Sequence, residues 1–327
     1  MLLTLTTALL PVFLTLVLGY FAAMRGEFSA PNAKVLTRLV MHYALPMALF
    51  AHVTAMPRDL ILTRAPLGAL LFAGMMGPFI AAYFTGRWLL RRRLAPIVAS
   101  RTAMITALCL SAPSIPFVGV PVLGQLYGAN SGLIVSLGGL IINLVQLPLA
   151  LLVLAAPAAE ATAQETRDAH RNSLFFMIGH VKAALREPVV WAPLLALGLQ
   201  LAGVHVPVWV RQPLHLLAVA TGGVALFATG IVLQTRRIMV SFSVGLVVLI
   251  RNLAIPLALL GLLLVFKPPL PPQVGAEAVV TLALPTAALG TILAVAFQVA
   301  EREAASILFF STLCSAVTLP LLLWLTL

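Results

Sequence analysis

The chain reads SAPSIPFVGVP over residues 111–121 and LALPTAA over residues 282–288, and these two stretches decide its fold. Each lies inside a long apolar segment that otherwise has the composition of a membrane helix. Proline has no backbone N–H, and its ring clashes with the carbonyl four residues earlier. The prolines therefore predict one helix break in each half of the chain, at Pro113, Pro116, Pro121 and Pro285.

Matched breaks carry a functional prediction as well as a structural one. In hydrocarbon, free backbone polar groups are tolerated only where they are buried in protein or line a watery cavity. Broken helices at matching places in two halves are typical of the substrate site of secondary transporters. Ser114 and Thr286 lie beside the breaks and are predicted to bind substrate. The simpler alternative is that the prolines only kink two helices.

Composition places the chain in a membrane. Of the 327 residues, 61% are hydrophobic and 9% are charged, whereas a soluble domain carries about 25% charged residues. The net charge of +11 does not indicate nucleic-acid binding, because most basic residues lie in short connections between apolar segments. Cys109 and Cys314 lie within apolar segments without metal-ligand spacing, so no metal site, disulfide or cofactor is predicted.

Ten segments are long and apolar enough to span a bilayer. A polar connection, 156–187, separates five segments in 1–155 from five in 188–327, and its residues 173–186 predict an interfacial amphipathic helix. An odd number of spans in each half gives the halves opposite orientations, which predicts an inverted repeat. The segments are Thr4–Met24, Ala33–Ala55, Ala65–Leu90, Ile97–Tyr127, Ser131–Ala155, Val189–Val204, Pro213–Gln234, Met239–Phe266, Val274–Val299 and Ala304–Leu327.

The basic residues predict the orientation. If the first helix starts outside, fifteen Lys and Arg residues lie at the cytoplasmic ends of the segments and four at the outer ends. This bias follows the positive-inside rule and predicts that both termini lie outside. The apolar segment ending at Met24 is too long for the core of a cleavable signal peptide and has no positive charge before it.

Polar residues inside the segments are further candidates, because ionisable groups in a membrane are costly and are often functional. Arg251 lies near the middle of the eighth segment, and its guanidinium matches a carboxylate. Asn252 beside it is a second candidate donor. The alternative is that Arg251 extends to the cytoplasmic surface, although Met239 begins the segment roughly 18 Å away at 1.5 Å per residue.

Three more polar positions complete the candidates. Asn143 and Gln146 lie three residues apart on one face of the fifth segment, where they either bind substrate or join helices. His42 on the second segment is a candidate proton-coupling group, or a buried hydrogen-bonded histidine. Glu277, at the outer start of the ninth segment, is predicted to be solvated.

Several function classes are excluded. No carboxylate lies at the centre of a segment, which weakens a cation antiporter. The chain has no His-Glu-x-x-His motif and no Gly-x-x-x-x-Gly-Lys loop, so neither a zinc protease nor an ATPase is supported. The chain is therefore predicted not to be an enzyme.

The sequence also resembles a known family, the auxin efflux carriers, and within it the bacterial malonate-transporter-like branch. The resemblance covers nearly the whole chain, and the order and spacing of its motifs are specific, although each motif alone is a weak apolar pattern. The motifs are YALPMALF (43–50), PFVGVPVLG (116–124), EPVVWAPLL (187–195), ALFATG (225–230), LPT (284–286) and STL (311–313).

The resemblance implies an all-α polytopic protein of ten transmembrane helices in two inverted five-helix repeats. Its fourth and ninth helices would cross at their breaks, in a bile-acid-symporter/NhaA-like arrangement. It also implies elevator-like movement, often in a homodimer, in a bacterial inner membrane. The substrate would be a small organic anion, with malonate or a similar dicarboxylate as the first choice. H+ and Na+ are both candidate coupling ions, and the resemblance does not select between them.

Two alternatives stay open, and one position departs from the family. The alternatives are a carrier of auxin-like aromatic acids or amino acids, and a membrane ligand sensor that does not transport. Ser114 stands where many members have asparagine, so the substrate contact at this position can differ. Arg251 matches the family's basic position on the eighth helix.

Overall fold

The computed structural model describes residues 2–54, 65–127, 131–155, 188–204, 206–236, 238–266 and 272–326. The predicted linker and amphipathic helix between residues 156 and 187 lie outside these ranges. All regular secondary structure in the described residues is helical. This confirms the all-α class, whereas the number of spans and the inverted repeat stay predictions.

The described helices overlap the predicted apolar segments, and π-helical turns interrupt several of them. The described α-helices are α1 (Leu2–Met24), α2 (Ala30–Leu39), α3 (Leu45–Thr54), α4 (Ala65–Leu90), α5 (Pro96–Ser111), α6 (Val120–Tyr127), α7 (Ser131–Leu140), α8 (Leu147–Leu154), α9 (Pro188–Leu201), α10 (Val208–Arg236), α11 (Phe242–Leu249), α12 (Ile255–Phe266), α13 (Pro272–Ala283), α14 (Leu289–Phe297) and α15 (Glu301–Thr326). The π-helical turns are π1 (Val40–Ala44), π2 (Ile115–Gly119), π3 (Ile141–Gln146) and π4 (Ile250–Ala254).

Each of these π-helical turns ends two residues before a proline. The prolines are Pro46, Pro121, Pro148 and Pro256. A proline cannot donate to the carbonyl four residues earlier and pushes it away. The helix therefore widens by one residue, so that Leu45 N–H donates to the carbonyl of Val40 and Ile255 N–H to that of Ile250. Such π turns often mark functional sites.

Four described helices are long and apolar enough to cross a membrane, and several shorter apolar helices accompany them. The long ones are Pro66–Leu90, Leu137–Leu154, Phe242–Val265 and Glu301–Thr326. Large apolar side chains such as Trp209, Leu216 and Trp324 are exposed on the outer surface. These features identify a multi-pass membrane protein.

The helices form two packing groups that each combine both halves of the chain, and α15 joins the groups because it packs against α1 and α10 as well as against α13 and α14. α1 packs against α10, while α3 packs against both α9 and α10. In the other group α4 packs against α5 and α13, and α14 packs against α5 and α15. In the first group, α1 and α10 are in backbone contact, because a Cβ on Gly230 would lie 2.1 Å from the carbonyl oxygen of Leu16. Small residues at such positions let helices approach closely.

Candidate functional site

The two broken helices meet at their breaks. The backbones at Pro113 and Thr286 run antiparallel as an isolated bridge. Ser114 N–H donates to the carbonyl of Pro285 at 2.8 Å, and Ala287 N–H donates to the carbonyl of Ala112 at 2.9 Å. Four of the backbone groups at the breaks, two amides and two carbonyls, are thus paired across the crossing, as burial requires.

A buried network of side chains holds the second break from behind. Ser311 of α15 accepts a hydrogen bond on Oγ from Thr286 N–H at 3.0 Å, and its Oγ–H donates to Asn252 Oδ1 at 2.6 Å. Asn252 in turn donates from Nδ2 to the carbonyl of Ser311 at 2.8 Å. Thr286 Oγ1 donates to the carbonyl of Cys109 at the end of α5. The break is therefore tied to three other helical segments.

Arg251 lies beside this network and is completely buried. Its Nη2 donates to the carbonyl of Leu284 at 2.8 Å, just past the end of α13. Nε and Nη1 have no hydrogen-bond partner in the described structure. A cation at this position offsets the partial negative charge at the carboxyl end of α13.

The first break is held by a neutral side chain instead. Gln146 of π3 is completely buried. Its Nε2 donates to Ser111 Oγ at 3.1 Å and to the carbonyl of Met75 at 3.3 Å. Its Oε1 has no partner among the described atoms. The two breaks therefore share an extended backbone, but a cationic side chain lies at the second break and a neutral side chain at the first.

A cavity of about 170 Å³ opens on the other side of the crossing. The breaks contribute Pro113, Ser114 and Ala287 to its wall, and π3 contributes Asn143. The opposite wall comes from α3 and α10, including Thr221. The cavity therefore lies between the two packing groups, with polar groups on an otherwise apolar surface.

The cavity brings together some of the polar candidates from the sequence and not others. Ser114 and Asn143 line it, and Asn143 is half-buried. Thr286, Arg251, Asn252 and Gln146 are buried behind the breaks rather than in its wall.

The remaining predicted residues lie apart from the cavity, in the breaks, or in the helical turns that follow the first break. His42 lies in π1 and is exposed, away from the cavity lining. Of the predicted break prolines, Pro113 and Pro285 lie in the non-helical backbone, Pro116 in π2 and Pro121 in α6.

The expectation for Glu277 was wrong. It lies one turn inside α13 and is buried, with 3% of its surface exposed. Its position near the outer start of the ninth segment is the basis of that expectation. The inward direction of this face of α13 depends on packing, which the local sequence does not reveal.

Comparison with known proteins identifies the family. The family model described as "Membrane transport protein" matches residues 4–323. The chain belongs to this family. The match confirms the resemblance to the auxin efflux carriers, to which the family model corresponds.

Curated members of the family cover almost the full chain. The uncharacterized transporter YfdV of Escherichia coli K12 is 33% identical over 315 residues, which are 96% of this chain and 95% of that protein. YfdV proteins from Escherichia coli O157:H7 and Shigella flexneri match equally. Membership of this family confirms the prediction that the chain is a transporter rather than an enzyme.

Three contributors to the site were missed in the sequence. Ser311 was noted only as part of a motif, yet it accepts the hydrogen bond from Thr286 N–H. Ser111 and Thr221 are small hydroxyl residues in apolar segments, where hydroxyls usually bond to their own helix. Ser111 could have been found because it ends α5 at the first break, whereas Thr221 and Ser311 lie inside continuous helices and give no local signal.

Proposed function

We propose that this membrane transport protein is a secondary transporter of small organic anions and that its substrate binds in the cavity at the crossing. The observation that carries the proposal is the start of α14 at this cavity. Ala287, Ala288 and Leu289 line the wall, and no side chain caps the first turn of the helix. Uncapped amides and the positive end of the helix favour a carboxylate.

The size and lining of the cavity support a small substrate. About 170 Å³ is below the roughly 300–1,000 Å³ typical of pockets for drug-sized ligands. Malonate or a similar dicarboxylate therefore fits the proposal better than an aromatic acid does. Ser114, Asn143 and Thr221 are proposed to contact the substrate. Thr286, Arg251, Asn252 and Gln146, all behind the breaks, are proposed to act by holding the backbone in place.

The position of the cavity supports an elevator-like mechanism. One wall belongs to α3 and α10, and the other belongs to the crossing. If the second packing group carries the crossing past the first, the substrate moves with it and meets opposite sides of the membrane in turn. A homodimer built on the first group is part of the same proposal.

The proposed location is a bacterial inner membrane with both termini outside. The orientation rests on the distribution of Lys and Arg among the connections, and the inner membrane rests on the resemblance to bacterial family members. Single cysteines introduced at Met1 and Leu327 in a variant without Cys109 and Cys314 are expected to react with an impermeant reagent added to intact cells. Protection of both positions until the cells are opened would contradict this orientation.

Counterflow in proteoliposomes tests the transport function. Vesicles loaded with unlabelled malonate should accumulate labelled malonate, whereas a ligand sensor would bind it without exchange. Ala48→Leu fills the cavity from α3 and should abolish exchange. Ala51→Leu, on the same helix and outside the cavity lining, is the matched control. Equal exchange by both variants would remove the cavity from the transport pathway.

A further inference from the structure

The two breaks differ in the charge of the side chain that lies at the carboxyl end of the helix before the break, which is α5 at the first break and α13 at the second. α5 and α13 both end at the crossing, so each places a partial negative charge of about −0.5 in the low-dielectric interior. At α13 the guanidinium of Arg251 contacts the carbonyl of Leu284. At α5 the polar side chain that reaches the break is Gln146, which comes from the fifth segment and is neutral.

Oxygen atoms at the end of α5 lack donors. In a continuous helix, the carbonyls of Leu110 and Ser111 would accept hydrogen bonds from the amides of Ser114 and Ile115. Here Ser114 N–H donates to Pro285 and Ile115 N–H donates to the carbonyl of Pro113 at 2.8 Å. The two carbonyls at the end of α5 therefore receive no helical hydrogen bond.

The side chain beside these carbonyls adds a further unsatisfied acceptor. Gln146 Oε1 is buried and without a partner among the described atoms. Leaving a buried acceptor unsatisfied is costly. Ser111 Oγ already donates to the carbonyl of Ala107 at 2.7 Å and therefore offers its own oxygen, which accepts from Gln146 Nε2. Among the described atoms, the end of α5 therefore has more acceptors than donors.

The chemistry of these acceptors selects the ligand. Carbonyl and amide oxygens replace the hydration shell of an alkali cation, and unwound ends of broken helices can coordinate such ions. A divalent metal would need carboxylates, and the described residues contain no group of three His, Cys, Asp or Glu side chains that could hold one. Neutral oxygens of this kind do not take up a proton near neutral pH.

We propose that the end of α5 binds a sodium ion through the carbonyl oxygens of Leu110 and Ser111 and through Gln146 Oε1. The ion supplies at the first break the positive charge that Arg251 supplies at the second. The ion site itself does not depend on the proposed transport function. Its proposed role, which is to couple sodium to organic-anion binding, does rest on that function.

Coupling follows from the position of π3. Gln146 faces the proposed ion, and Asn143 on the same turn lines the cavity. A sodium ion behind the first break attracts an anion in front of it, and the effect is reciprocal. Sodium should therefore tighten organic-anion binding at least tenfold, and the anion should tighten sodium binding by the same factor.

Thermal unfolding of the purified protein tests the ion site without substrate. Wild type should be stabilised by sodium chloride relative to choline chloride at equal ionic strength, and Gln146→Ala should lose this response. Asn143→Ala is the matched control, since it should keep the sodium response while malonate binding weakens. Equal stabilisation of wild type by sodium and choline would overturn the site.

A fixed cation gives a second readout. Gln146→Lys places an ammonium group at the end of α5, so malonate binding should become independent of sodium. Sodium-independent binding by wild type would refute the coupling, even if Gln146→Lys does not fold. Sodium stabilisation without any organic-anion exchange would instead support the ion site and contradict the proposed substrate, so the two failures can be told apart.

Discussion

Ser311→Ala removes a single hydroxyl group, and we expect this loss to destabilise the second break. The hydroxyl accepts from Thr286 N–H and donates to Asn252 Oδ1. Removing it leaves one donor and one acceptor buried without partners. The Asn252 Nδ2 bond to the backbone carbonyl of Ser311 remains available, so the loss is confined to these two groups.

The expected magnitude follows from those two groups. A buried polar group that loses its partner costs about 1–3 kcal/mol, so Ser311→Ala, which strands two such groups, should lower the free energy of unfolding by about 2–6 kcal/mol. Ser315, one turn further along α15, is also completely buried. Its hydroxyl donates only to the carbonyl of Thr312 in the same helix. Ser315→Ala should therefore cost less than about 1 kcal/mol.

The assay is unfolding of both purified variants in detergent, together with counterflow of labelled malonate. Ser311→Ala should unfold at lower temperature than Ser315→Ala and should exchange malonate more slowly, because Thr286 no longer has a fixed position. A double-mutant cycle with Asn252→Ala should give a coupling energy of about 0.5–3 kcal/mol, as expected for residues in one network. Equal stability of the two serine variants, with additive effects in the cycle, would refute the network.

Three further predictions address the prolines, the helix contacts and the buried cation. Pro285→Ala should restore a helical N–H at the crossing and reduce exchange far more than expression, whereas Pro320→Ala inside α15 should exchange normally; normal exchange by both would separate the break from transport. Gly230→Ala should lower the free energy of unfolding by about 1–3 kcal/mol, measured by denaturant unfolding, because its Cβ would overlap the backbone of α1. Gly223→Ala, with open space around it, should not, and equal losses would contradict the close contact. Arg251→Lys keeps the charge but loses the fork, so monoacid and diacid affinities should fall equally; a loss confined to diacids would place a substrate carboxylate on the guanidinium.

The helical class and the breaks could be predicted from local sequence. An apolar segment in a bilayer must satisfy its own backbone hydrogen bonds, so it forms a helix whatever its neighbours are. Proline removes a donor at its own position, which accounts for the breaks at Pro113 and Pro285. Pro78 and Pro320 nevertheless lie inside continuous helices, so the matching position of the breaks in the two halves was part of the prediction. The same chemistry accounts for the π turns, each of which ends two residues before a proline.

The roles of the polar side chains depended on the tertiary structure. Asn143 and Gln146 share one turn, yet one lines the cavity and the other lies behind the first break. Arg251 contacts a carbonyl 33 residues further along the chain, and Ser311 receives a hydrogen bond from the other side of the second break. Such contacts are set by the rotation and packing of whole helices. Because lipid and protein interior are similarly apolar, an apolar sequence does not reveal which face of a helix turns toward the cavity.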